Sequence, residues 1–133
     1  MTRFDAAEPT ERRRLFAEGV TAHRERASGF CTFEVDPDSD TSGVEEGPPP
    51  WIQFAERLFN LDCTDAELDR LKGLLSEFPE FRIDELNRPE DVAGTNVTIT
   101  ARSDVNRLAG FIDRAFREVY ELDEDYRVWA ADV

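Results

Sequence analysis

The chain has 133 residues, 40% of them hydrophobic, with 30 acidic against 16 basic side chains and a formal net charge of −14. That length suits one domain with its own core, and no stretch approaches the roughly 18 apolar residues of a membrane helix. The acidity works against a phosphate-backbone partner; with Lys72 as the single lysine, it is best tolerated in a salt-rich cytoplasm, where molar salt shortens the Debye length to about 3 Å and relieves self-repulsion.

Pro9 suits the first turn of a helix, and Glu11–Ala27 carries Leu15, Phe16, Val20, His23 and Ala27 at helical spacing. Ser28-Gly29 ends it. Phe30–Val35 is predicted as a strand with Cys31, Phe33 and Val35 on one face. Residues 36–50 hold Pro, Gly, Ser, Asp and Glu and are expected to form a mobile acidic loop. Trp51–Phe54 and Leu58–Asp62 are predicted to pair as a hairpin turning at Ala55-Glu56-Arg57.

Thr64-Asp65-Ala66-Glu67 is a capping box. It opens a helix with Leu68, Leu71, Leu74, Leu75 and Phe78 on one side, stopped before Pro79. Phe81–Glu85 is a short strand, 87–94 a loop, and Asn96–Ala101 an alternating strand with Val97, Ile99 and Ala101 facing one way. Ser103 is expected to cap a helix carrying Val105, Leu108, Ile112, Ala115, Phe116 and Val119. Tyr126–Ala130 is predicted as the last strand.

These elements predict a single α+β domain over 1–133: an N-terminal helix within 1–28, the loop at 36–50, and a split-βαβ, ferredoxin-like βαββαβ unit over 58–131. The hairpin would add two strands to one antiparallel sheet covered by helices on one face only. The competing topology joins the first helix, a three-strand meander and the second helix, an arrangement that resembles type III secretion chaperones. The acidic, arginine-rich composition, with Trp51-Ile52-Gln53-Phe54 and Leu58-Phe59-Asn60-Leu61-Asp62-Cys63-Thr64, resembles uncharacterised haloarchaeal proteins of this size. That resemblance implies habitat and no activity.

Charge is unevenly spread. Residues 1–28 hold six arginines against five acids, a net of +1 that leaves −15 for the rest. A near-neutral helix on an acidic body is expected to pack on that body or on a partner's copy. Arg12-Arg13-Arg14 alone does not make nucleic acid a partner.

Asp36, Asp38 and Asp40 have the spacing of a calcium loop, but Thr41 stands where the sharp turn needs glycine and Gly47 where a bidentate Glu belongs. Cys63 precedes a helix start, where a thiol pKa can fall, so a small enzyme using Cys63 is one alternative. His23 lies on an apolar stripe, however; Cys31 is expected on the core face of its strand, and both cysteines are expected to be reduced, structural thiols. Cys31, Cys63 and His23 lack close-ligand spacing for zinc. No cofactor, metal or phosphate-binding signature is present, and the Asn96, Thr98 and Thr100 face lacks the aromatics of an RNA-recognition module.

Alternation places Phe30, Thr32, Trp51, Gln53, Asn60, Arg82, Thr98, Thr100, Arg127 and Trp129 on the open face of the sheet. Trp and Arg are enriched at binding hot spots. The expected site is therefore Trp51, Asn60, Arg82, Thr98, Thr100, Arg127 and Trp129, with Arg127 and Trp129 beside the strand bearing Asn60. The expected function is a non-enzymatic binding or regulatory domain that self-associates as a homo-oligomer or docks a protein. The alternative is a small-ligand sensor with Arg127 as a clamp for an anion.

Overall fold

The computed structural model describes residues 5–26, 31–36, 50–88 and 94–131. Phe30, Ala27 and most of the 36–50 loop, including Asp38 and Asp40, lie outside them. The described elements are β1 (Asp5–Ala6), α1 (Pro9–Arg26), β2 (Cys31–Val35), β3 (Trp51–Ala55), β4 (Leu58–Cys63), α2 (Asp65–Leu75), β5 (Phe81–Asn87), β6 (Thr95–Ala101), α3 (Val105–Arg114) and β7 (Val128–Ala131). A π-helical turn, Ala115–Val119, continues α3. The strands form one antiparallel sheet in the order β1-β7-β2-β3-β4-β6-β5.

The period-two pattern holds across the sheet. Phe33, Phe54, Phe59, Val97 and Ile99 are fully buried, while Gln53, Asn60, Thr98 and Thr100 between them stay partly accessible. The helices meet the sheet through the buried set. Phe16 of α1 packs edge-on to Phe33 at 5.0 Å, and Phe111 of α3 packs on Phe59 and Phe81 at 5.2 and 5.0 Å. A Cβ on Gly19 would stand 2.8 Å from the Phe33 ring, so only glycine lets α1 approach β2 this closely.

α2 begins with the expected capping box. Glu67 N–H donates to Thr64 Oγ1 at 3.2 Å, and Thr64 N–H donates to Glu67 Oε1 at 2.8 Å. α3 is capped by Asp104 rather than Ser103: the Asp104 carboxylate accepts the Arg107 N–H at 2.9 Å. The β3–β4 turn holds Glu56 at a φ of 58°, a region that costs a non-glycine residue energy. Buried His23 supports it, its Nε2 accepting the Glu56 N–H at 3.0 Å.

The strand order corrects one expectation. β6 lies between β4 and β5, as a split-βαβ unit requires, but β2 and β3 stand between β4 and β7. Local chain geometry accounts for this. The two-residue turn at Glu56-Arg57 commits one edge of β4 to β3, and β6 takes the other. β7 can then pair only further out, and it lies between β2 and β1. The β2-β3-β4 meander of the competing topology is therefore present. β7 also starts at Val128 rather than Tyr126, and Tyr126 turns into the core.

α1 packs against α3 around a buried charge. Arg12 is fully buried; its Nε donates to Asp113 Oδ1 at 3.0 Å, and Nη1 donates to the Ala7 and Tyr126 carbonyls. Its guanidinium lies 4.0 Å from the Tyr126 ring centre, and the Tyr126 hydroxyl donates to the same Asp113 oxygen at 2.9 Å. The first arginine of the Arg12-Arg13-Arg14 run is thus a core residue.

The open face of the sheet

Cross-strand register assembles the open face into rows. Trp129 of β7 stands opposite Asp5 of β1 on one side and Glu34 of β2 on the other, and Glu34 stands opposite Trp51 of β3. Directly opposed side chains have Cβ atoms about 4.5–5.5 Å apart, so exposed Glu34 sits between two half-buried tryptophans. These are the only tryptophans in the chain. Arg127, of the same parity as Trp129, pairs with the Asp5 carboxylate.

The next row runs Thr32, Gln53, Asn60, Thr98 and Glu85 across five strands. Its centre is an amide network. Asn60 Nδ2 donates to Asn96 Oδ1 at 2.8 Å, Asn96 Nδ2 returns a bond to Asn60 Oδ1 at 3.0 Å, and Asn96 also donates to Asp62 Oδ1 at 2.9 Å. Asn60 reaches Thr98 Oγ1 at 3.3 Å. A third row holds Leu58, Thr100 and exposed Arg82; Leu58 is one of two exposed large apolar side chains among the described residues.

The expected site residues therefore share one face but fall into two groups. Asn60, Thr98, Thr100 and Arg82 lie together on β4, β6 and β5; Trp51, Trp129 and Arg127 lie towards the β1 end. Arg127 and Trp129 do not flank Asn60, because β2 and β3 intervene. Thr32 is buried rather than open. Glu34 and Asp5 belong to the tryptophan row and were not expected there. Glu34 was legible from its alternation with Thr32; nothing in the sequence marks the two-residue strand that carries Asp5.

The two cysteines and His23 are buried. Cys63 is buried, and desolvation, with Glu67 adding to it, pushes its thiol up to about 12. That is the opposite of the lowering a helix start can supply, so a thiolate at neutral pH is disfavoured. Cys31 is a buried thiol on β2, outside any disulfide, and β3 separates its strand from that of Cys63. His23 has its pKa lowered, first by desolvation and then by Arg24, and its Nε2 is engaged as an acceptor.

The chain belongs to a family of unknown function, DUF7975. The family model matches residues 1–133. No curated protein and no solved structure matches the chain. Among the described residues, no helix is long and apolar enough to cross a membrane.

Proposed function

We propose that the protein is a non-enzymatic binding or regulatory domain of a salt-rich cytoplasm that docks a protein partner through the open face of its sheet. The observation that carries this reading is the row Asp5–Trp129–Glu34–Trp51. Helices cover the opposite face, and two half-buried large aromatic side chains lie on this one. Such residues anchor interfaces by filling pockets at low entropic cost. A carboxylate between two indoles favours a cation, because the indole faces and the charge attract it together. The partner therefore presents a basic side chain to Glu34. Its backbone or hydroxyl groups meet the amide network around Asn60.

A small anionic ligand fits this row less well. Arg127, the expected clamp, is engaged by Asp5, and Glu34 adds a second negative charge.

The test is affinity capture of the partner from the native host at high salt, using wild type, Trp51→Ala, Trp129→Ala, Glu34→Gln and Arg117→Ala on the helical side. Each tryptophan truncation is expected to weaken capture by about 2 kcal/mol or more, with Arg117→Ala unchanged. Equal capture by all five proteins would overturn the assignment of the face.

A further inference from the structure

α1 carries five arginines and three glutamates, a net of +2 within a chain of net −14. One arginine, Arg12, is neutralised internally by Asp113. The outer surface of α1 is therefore where two copies of this acidic chain can approach with least repulsion. Beside it lies a surface groove of about 390 Å³, shared with the start of α3 and lined by half-buried Ala17, Ala22 and Val105 and by exposed Glu18, Thr21 and Glu25. Small side chains here let another helix come close.

The charge order along this surface is self-complementary. Arg14, Glu18, Thr21 and Glu25 follow i, i+4, i+7, i+11 spacing, so they form one stripe about 16 Å long. All four are exposed, and Arg14, Glu18 and Glu25 make no ion pair among the described residues. A second copy running antiparallel on a two-fold axis through the middle of the helix sets Arg14 against the second copy's Glu25, and Glu25 against its Arg14. Each Glu18 meets a Thr21 hydroxyl, which can donate to it. Shifting the axis towards Thr21 sets Glu18 against Glu25 and loses both ion pairs; shifting it towards Arg14 pairs Arg14 with Glu18 but leaves Thr21, Glu25 and the groove beside them outside the contact, so charge and groove together select the register.

We propose that two copies of the chain pair antiparallel through this α1 stripe, leaving the open sheet face of each copy clear. The pairing stands independently of the partner assigned to that face.

Sedimentation equilibrium of the full chain tests it, at the lowest salt at which circular dichroism shows the chain folded. Wild type is expected to dimerise. Arg14→Glu and Glu25→Arg each place two like-charge pairs across the two-fold axis, and each is expected to weaken dimerisation at least about tenfold. An equimolar mixture of the two variants restores opposite charges at both ends, so it is expected to form a heterodimer as tight as the wild-type dimer. A monomeric wild type, single variants that dimerise like wild type, or a mixture that fails to associate would each overturn the pairing.

Discussion

Removing the Asp113 carboxylate tests how α1 is held on the body of the domain. Arg12 is fully buried and Asp113 is 4% exposed, so the guanidinium left behind by Asp113→Leu has no counter-ion and no path to water. The Tyr126 hydroxyl loses its acceptor in the same step. Breaking one partner of a buried pair costs about 3–5 kcal/mol, against roughly 5–15 kcal/mol for the stability of a whole domain. For a chain of this size, 1 kcal/mol moves Tm by about 3–5 °C, so the variant should melt about 10–20 °C lower. Arg12→Met combined with Asp113→Leu replaces the pair with apolar volume and should recover most of that loss. Thermal melts followed by circular dichroism at one fixed salt concentration, arranged as a double-mutant cycle, read both numbers. A loss below about 1 kcal/mol for Asp113→Leu, or a double variant no more stable than that single variant, would refute the reasoning.

Three further outcomes follow from the same structure. The fold should be weakly stable in dilute buffer and gain stability towards about 2 M KCl as self-repulsion is screened; equal Tm values in the two buffers would contradict this. Because the folded pKa of His23 is lowered, the unfolded chain binds the extra proton, so stability should fall as pH drops below the ordinary histidine value of about 6.5. His23→Gln should flatten that slope in urea titrations between about pH 7 and 5, and an unchanged slope would show that other groups carry it. Native Cys63 should resist alkylation at pH 8 while two thiols react after denaturation, since its thiol is buried with its pKa pushed up to about 12; fast native labelling would reopen thiol chemistry.

The faces of the sheet were legible in the sequence because burial on one side imposes a period of two. Thr95–Ala101 alternates throughout, and the rows through Asn60 and Thr98 follow from it. The start of α2 was legible because a capping box is local chemistry. Strand order was local only around β4. That the two-residue turn after Ala55 and the split-βαβ pairing together occupy both edges of β4 could have been deduced. That β7 then joins β2, and that Asp5 extends the sheet beyond it, depends on contacts about 100 residues apart or more in the chain. Trp51, Asn60, Arg82, Thr98, Thr100, Arg127 and Trp129 accordingly share one face but not the expected grouping: Thr32 is buried, and Arg127 is engaged by Asp5 instead of standing beside Asn60. Arg12 was not marked as a core residue for a related reason: in a run of three arginines nothing local says which one turns inward. Its partner, Asp113, lies 101 residues away. The π-helical end of α3 carried no sequence signal that we recognise.

Tryptophan emission tests the central claim most directly, because both tryptophans of the chain stand in one row of the open face. Trp51→Phe and Trp129→Phe leave one reporter each, and each variant is titrated with the purified partner at high salt. Docking on the face predicts a saturable change in the emission of both single-tryptophan proteins, weakened when Glu34→Gln is added. A partner that binds while both emission spectra stay unchanged would place the interface elsewhere and contradict the account.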